Sequence, residues 1–459
     1  MEKKETYMDQ RQDKLGTRRW LAIIFIGLVG QIAWMIENNY INLWVFSQSH
    51  DASHIAWMTT ASAVVATVTT FFMGALSDRL GKRKIFIAAG YTIWGLTVFA
   101  FGLMSLSNMA ALAGGKGTTA LLFVGIANVV VDCVMTFFGS TANDACFNAF
   151  VTDETNSKNR PLVESALSIM PLVAMAIMLG LGIVLGVPGV QGEMPDSAWA
   201  DHIAGPWFIF FLVFGILTTL IGVIAFFLLP KDHIVPNREN GYLKQMVKGF
   251  TPKAVKTNPT FYIALLAFML FNIAIDSFMP YFMVYIQNLP VVTATPGGFY
   301  LVVGIVMGLA SIGVVALGAN MERIGKFKVL FPAIGILVAG ALGLYLTQQN
   351  LAVCIVFATL LMLGYLAGTT ALGAEIRDNT PVNDTGAFQS VRMVFVVMLP
   401  MVIGSNLATL SFQTSTINEF GETAKVPDAN MFLVTLIAGV VALGPSIWLY
   451  FQKKKASRG

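Results

Sequence analysis

The sequence predicts an all-α membrane protein of twelve transmembrane helices arranged as two six-helix bundles. Three observations carry that reading: the composition, the number and length of the apolar runs, and a motif that occurs once in each half. Of 459 residues, 56% are hydrophobic and only 12% charged, with a mean hydropathy of +0.70. Ordinary soluble domains carry about 25% charged residues. Crossing a hydrocarbon core takes about 20 apolar residues in a helix, whose backbone polar groups are satisfied internally. A membrane barrel needs alternating segments of about ten residues, and the long unbroken runs rich in Gly, Phe and Met exclude it.

Residues 1–18 form a basic cytoplasmic tail. The apolar run behind it is too long for a signal peptide and lacks a small-residue cleavage site, so 19–46 is the first span. Apolar runs bounded by charge and turn clusters place the next five at 53–76, 84–106, 118–151, 161–187 and 206–229, completing an N-terminal bundle over 19–229. The longest polar stretch, 230–259, is a linker. Within it Tyr242, Met246 and Phe250 recur at helical spacing opposite Lys244 and Lys248, which reads as an interfacial helix. The pattern resumes at 260–286, 297–319, 329–346, 351–376, 386–413 and 430–451, giving a C-terminal bundle over 260–452 and a basic tail over 453–459.

Alternate loops are basic. All but three of the 29 Lys and Arg fall on the side of the two termini; Lys116 and Lys425 lie on the other side and Arg392 inside a span. Positive charge collects in cytoplasmic loops, so both termini are expected in the cytoplasm of a multi-pass cell-membrane protein. The net charge of +4 then reflects topology, not nucleic-acid binding. Cys133, Cys146 and Cys354 lie far apart in apolar runs and read as packing residues.

The halves repeat. GALSDRLGKRK (74–84) between spans two and three has its counterpart in GANMERIGKFK (318–328) between spans eight and nine, with six identities and two conservative matches. Parallel six-span repeats are the architecture of a two-bundle transporter whose central cavity opens alternately to either side. The first copy resembles the loop signature of the major facilitator superfamily. That resemblance implies the major facilitator fold and a cytoplasmic gate built on Gly74, Asp78, Arg79, Gly81, Lys82 and Arg83, with Glu322 and Arg323 at the matching places of the second copy. In the family the Asp caps a helix of the facing bundle; here the target is the start of span eleven, near 384–387.

Ionisable residues inside a span cost about 2.5–3.5 kcal/mol on insertion scales, so each is a functional candidate. Glu37 lies well inside span one, Asp132 near the middle of span four and Asp276 well inside span seven; in the superfamily these spans line the cavity. Around Glu37, helical spacing gathers Gln31, Trp34, Asn38 and Asn42 near one face, with Tyr40 and Trp44 beside them. Carboxylate, amide and aromatic groups together suit a sugar, satisfying its hydroxyls and stacking on its apolar face; an amide cluster that packs helices together is the alternative. Asn272 gives span seven a smaller version of the pattern. Arg392, inside span eleven, needs a carboxylate or carbonyl partner, with Glu375 and Asp78 as candidates, and is assigned to the gate.

The segments 143–160 and 374–392 resemble those of the glycoside-pentoside-hexuronide and sucrose-type sugar:cation symporters. The resemblance implies symport of a sugar with a proton or sodium and a small-molecule substrate; no cofactor and no catalytic or metal-binding residue is expected. No phosphate loop, nucleophile motif or His-rich site is found, so an enzyme is not expected; the partners expected are the substrate and the lipid bilayer, with the chain a monomer. GIVLGVPG (182–189) approximates a signature of drug:proton antiporters, so a proton-coupled exporter of drugs or metabolites remains the rival. Packing of a Gly-x-x-x-Gly stretch ended by Pro accounts for the same residues.

Overall fold

The computed structural model describes residues 15–155, 159–232, 249–381 and 385–456. Twelve helices in it are long and apolar enough to cross a membrane: Thr17–Ser49, Ala52–Leu80, Lys84–Phe101, Thr118–Glu154, Leu162–Leu185, Asp196–Leu228, Pro259–Asn288, Gly298–Gly318, Lys326–Leu346, Leu351–Asn379, Phe388–Ser411 and Asn430–Lys455. They are spans one to twelve, in two pseudo-symmetric six-helix bundles.

The first and last described helices begin and end on one face. Arg18 donates to the carbonyls of Phe227 and Leu228 at the end of span six, at 2.6 and 2.7 Å, and Arg19 pairs with Glu154 at the end of span four. In the second bundle Lys453 pairs with Glu375, and Lys326 with Asp378. This is the terminal face, and the opposite one the distal face. The repeated motif has the same local cause in each half: Gly81 and Gly325 take positive φ, 63° and 95°, and end the helices of spans two and eight where a side chain would be strained.

Within a bundle, small residues let helices approach closely. A Cβ on Gly215 of span six would stand 2.8 Å from the Gly95 carbonyl of span three, and one on Gly364 of span ten 2.6 Å from the Leu337 amide of span nine. An aromatic cluster ties the distal half of span one to span six: Tyr40 stacks on Phe210 at 5.0 Å, and Trp44 lies 5.8 Å from Trp207.

Several features depart from the expectations. Span six starts at Asp196, ahead of the expected 206, with Pro206 inside the helix, because the residues before the proline are also helical. A short helix, Leu106–Ala113, crosses the distal face, and a β-hairpin pairs Ser415–Ile417 with Thr423–Lys425 between spans eleven and twelve. Three spans contain π-helical segments: Ile36–Tyr40, Ser140–Phe147 and Val394–Met398. The interfacial helix expected around 242–250 lies almost wholly outside the described residues.

Candidate functional site

Span one is α-helical up to Met35, widens to a π segment over Ile36–Tyr40, and becomes α-helical again. Such bulges are rare and concentrate at functional sites; this one carries Glu37. The Glu37 side chain is buried, and its Oε1 accepts a 2.7 Å hydrogen bond from Thr136 Oγ1 of span four. Its second oxygen, Oε2, is buried without a hydrogen-bond partner. One turn along span four from Thr136 stands Asp132, 2% exposed, with its Oδ1 likewise buried and unpartnered. Ser62 of span two is close to Asp132, and Asp144 of span four is within electrostatic reach of Glu37.

Two carboxylates are thus brought together in the first bundle with acceptor oxygens that no donor among the described residues satisfies. Buried charge is sustained only by a partner, an ion or a proton. Chemically, the pair can accept a cation or share a proton between spans one and four.

Asp276 sits at a break in span seven. The helix Pro259–Asp276 ends there, Ser277 and Phe278 intervene, and Met279–Asn288 resumes. A Cβ on Gly404 of span eleven would lie 2.9 Å from the Asp276 Cβ, so the two backbones nearly touch at the break. One turn earlier Asn272 Nδ2 donates at 2.7 Å to the Val396 carbonyl, inside the π segment of span eleven. A π segment frees carbonyls from the i→i−4 ladder, and Asn272 satisfies one of them. Among the described residues no hydrogen bond or ion pair joins Asn272 or Asp276 to the Glu37 group.

The amide face of span one is only partly free. Asn38 donates to the Trp34 carbonyl at 2.8 Å, and Asn42 to the Asn38 carbonyl at 3.0 Å. Asn38 is exposed, Asn42 buried, and Gln31 and Trp34 half-buried, with Trp34 edge-on to Trp94 at 5.1 Å. Tyr40 and Trp44 were expected beside this face; both belong to the aromatic core against span six, at 1% and 0% exposure.

On the terminal face Arg83 is the hub. Its Nη2 lies 2.6 Å from Asp78 Oδ1, its Nε 3.2 Å from Asp153 Oδ2 and its Nη1 3.1 Å from Ser77 Oγ. Among the described residues Asp78 pairs within its own bundle; its expected target, the start of span eleven near 384–387, lies largely outside them. The carboxylate that caps a helix here is that of Asp232, which accepts from the Arg83 and Lys84 amides at 3.0 and 3.1 Å and closes the start of span three. Arg79, Lys82 and Arg323 are exposed; a Cβ on Gly74 would make only ordinary contact, 3.8 Å from the Ala145 Cβ of span four. The Glu322 side chain, residues 382–384 and the side chains of 385–387 lie outside the described residues. Arg392 is half-buried, but its two expected partners are engaged elsewhere, Glu375 with Lys453 and Asp78 with Arg83.

At the distal face Asn406 of span eleven donates to Thr60 Oγ1 of span two at 2.8 Å, and Gln287 of span seven to the Gly189 carbonyl at 3.1 Å. Tyr300 of span eight donates to the Gly182 and Val187 carbonyls at 2.9 and 2.8 Å. The segment 182–189, singled out for its likeness to an antiporter signature, thus ends span five and receives Tyr300 from the other bundle.

Sequence reasoning missed Thr136, Ser62 and Asp144. Asp144 carried a usable signal, a carboxylate in an apolar run near the end of span four; a threonine or serine inside a membrane helix carries none.

Twelve spans in two pseudo-symmetric bundles, with buried carboxylates on span one and span four, define a polytopic membrane transporter. The Major Facilitator Superfamily profile matches residues 20–405, and the chain belongs to that family. No curated protein sequence matches the chain. Among solved structures it is similar to the nucleoside transporter NupG, at a TM-score of 0.65 and 12% identity, covering 95% of this chain and 98% of that one. It is also similar to a bacterial homolog of the human lysosomal transporter Spinster in an inward-facing, unoccupied conformation, at a TM-score of 0.61 and 13% identity, covering 95% and 97%. At these identities the likeness establishes the fold, which is the major facilitator fold.

Proposed function

We propose that this transporter is a symporter of a sugar or glycoside with a proton or sodium ion, lying in the cell membrane with both termini in the cytoplasm and working by alternating access. The observation that carries coupling is the Glu37–Asp132 pair, with Glu37 Oε2 and Asp132 Oδ1 both buried and unpartnered. A cation or proton bound there neutralises the site and lowers the cost of occluding it. Occlusion is then linked to the ion's gradient, and the substrate moves with it. Asp276, at the break in span seven beside span eleven, is the corresponding group of the second bundle.

The sugar assignment rests on the mixture of Gln31, Trp34, Glu37, Asn38 and Asn42 along span one. The Asn38 amide nitrogen already donates to its own helix, so on this exposed side chain the carbonyl oxygen is the group left to accept from hydroxyls. The orientation rests on the crowding of Lys and Arg at the terminal face. With the termini cytoplasmic, a conformation joined at the distal face is inward-facing. The gate on the cytoplasmic side is assigned to the Arg83 hub, with Arg392 and the second motif copy opposite it.

Substitution tests the reading directly. In proteoliposomes Glu37→Gln and Asp132→Asn should each lower ion-driven sugar accumulation about a hundredfold, equivalent to ~2.7 kcal/mol, while exchange of labelled for unlabelled sugar without an ion gradient persists. Full ion-driven accumulation in both variants would remove the pair from coupling.

A further inference from the structure

The hairpin between spans eleven and twelve is built as a rigid piece of the second bundle. Its strands pair Ser415 with Lys425, Thr416 with Ala424 and Ile417 with Thr423. Asn418 Oδ1 accepts from the Phe420 and Glu422 amides at 3.0 Å, and Gly421 turns the tip at φ 83°. Asp428 Oδ2 accepts from the Gln413 and Thr414 amides at 2.8 Å, tying the base to the start of span twelve, and Lys425 Nζ donates to the Thr409 carbonyl of span eleven at 2.7 Å. The hairpin therefore moves with spans eleven and twelve.

Its tip, however, is fastened to the first bundle. Glu419 Oε1 accepts from the Ser197 amide at 2.9 Å, and Oε2 from the Ser197 hydroxyl at 2.6 Å. Ser197 is in the first turn of the span-six helix, whose leading amides have no intrahelical acceptor. A residue of the second bundle thus caps a helix of the first. Beside it Phe420 packs on a separate apolar cluster of the first bundle that includes Leu106, Met109, Leu121 and Val124. A third attachment joins the Lys425 amide to Asp51 Oδ1 at 3.2 Å, the same oxygen that caps span two through the Ser53 amide at 2.9 Å.

We propose that this hairpin is a distal-face latch: Glu419 on Ser197 and Phe420 in its apolar seat hold the distal ends of the bundles together, and both must detach before the face can open. The inference adds a part to the alternating-access reading and rests on it, but not on what is carried or which ion drives it. Detachment uncaps span six and exposes Phe420, so the latch biases the transporter toward the conformation closed at the distal face and sets part of the barrier to leaving it.

The test is a spin-label distance measurement on the full chain in nanodiscs, which needs no substrate and so separates failure of the latch from failure of the sugar assignment. Labels go at Leu112 in the first bundle and Leu346 in the second, both distal and 73% and 67% exposed, with Cys133, Cys146 and Cys354 replaced by Ala. With the hairpin unaltered, the short distal separation dominates. Glu419→Gln, an exposed substitution that leaves the apolar seat intact, should raise the ratio of long to short separations about tenfold, as expected for loss of a charge-assisted bond. Phe420→Ala should move it the same way. Distributions in both variants that superimpose on the parent would overturn the latch.

Discussion

Thr136 Oγ1 donates to Glu37 Oε1 at 2.7 Å, and that bond fixes a span-one carboxylate against span four while leaving its second oxygen unsatisfied. A purely structural carboxylate would have both oxygens engaged. Thr136→Val removes the donor and keeps the shape. The variant is expected to lose about 1.5–3 kcal/mol, the range for a hydrogen bond to a charged group, read as a lower thermal midpoint in detergent. An unchanged midpoint would mean that the threonine does not hold Glu37.

In the second bundle Asn272 plays a positioning part. Its 2.7 Å bond to the Val396 carbonyl satisfies a π segment that would otherwise leave a polar group exposed to the helix interface. Asn272→Leu should cost about 1–3 kcal/mol for the orphaned carbonyl. The expected readout is a lower thermal midpoint together with slower transport. Asn272→Gln, which keeps an amide, should restore part of both.

The Arg83 hub ties the ends of spans two, three and four to Asp232. Asp78→Asn should slow uptake about tenfold, or ~1.4 kcal/mol on the barrier, while membrane insertion, followed by surface labelling, stays unchanged. Uptake equal to that of the unaltered chain would show that the Asp78–Arg83 pair has no part in gating.

The distal face should respond to acid. Burial holds the His50 imidazole below its ordinary 6.5, against the opposing pull of Asp196, Gln191 and Glu419. Two bonds from Ser197 hold the Glu419 carboxyl below its ordinary 4.5. Opening returns both groups to water and to their ordinary values, so the closed face binds fewer protons than the open one. Closure is therefore fully favoured above about pH 6.5 and weakens as the pH falls, with His50 acting first and Glu419 only in stronger acid. Distal spin-label distances recorded from pH 8 to 5 should lengthen toward acid. His50→Asn, which tolerates the left-handed φ of 53° at this position, should flatten the response.

The spans were legible because hydropathy and length are properties of contiguous sequence. The repeat was legible because Gly81 and Gly325 answer the same backbone need, and Glu37, Asp132 and Asp276 because a carboxylate in an apolar run stands out. What stayed hidden depends on which helix faces which. Nothing in the sequence assigns Thr136 to Glu37, turns Tyr40 and Trp44 toward span six, or pairs Glu375 with Lys453 in place of Arg392. The hairpin was hidden for a different reason: its strands are short and polar, and what holds them is a set of contacts from Asn418, Lys425 and Asp428 that no hydropathy pattern announces.

The central claim is that cation movement and sugar movement are one process. Purified protein in liposomes, with internal pH recorded while labelled mono- and disaccharides are offered with and without a sodium gradient, measures both at once. The account predicts sugar-dependent influx of protons or sodium and accumulation of the sugar against its own gradient, both lost in Glu37→Gln. Silence across the sugar panel, with proton movement on adding cationic amphiphiles instead, would contradict it and make the protein an exporter.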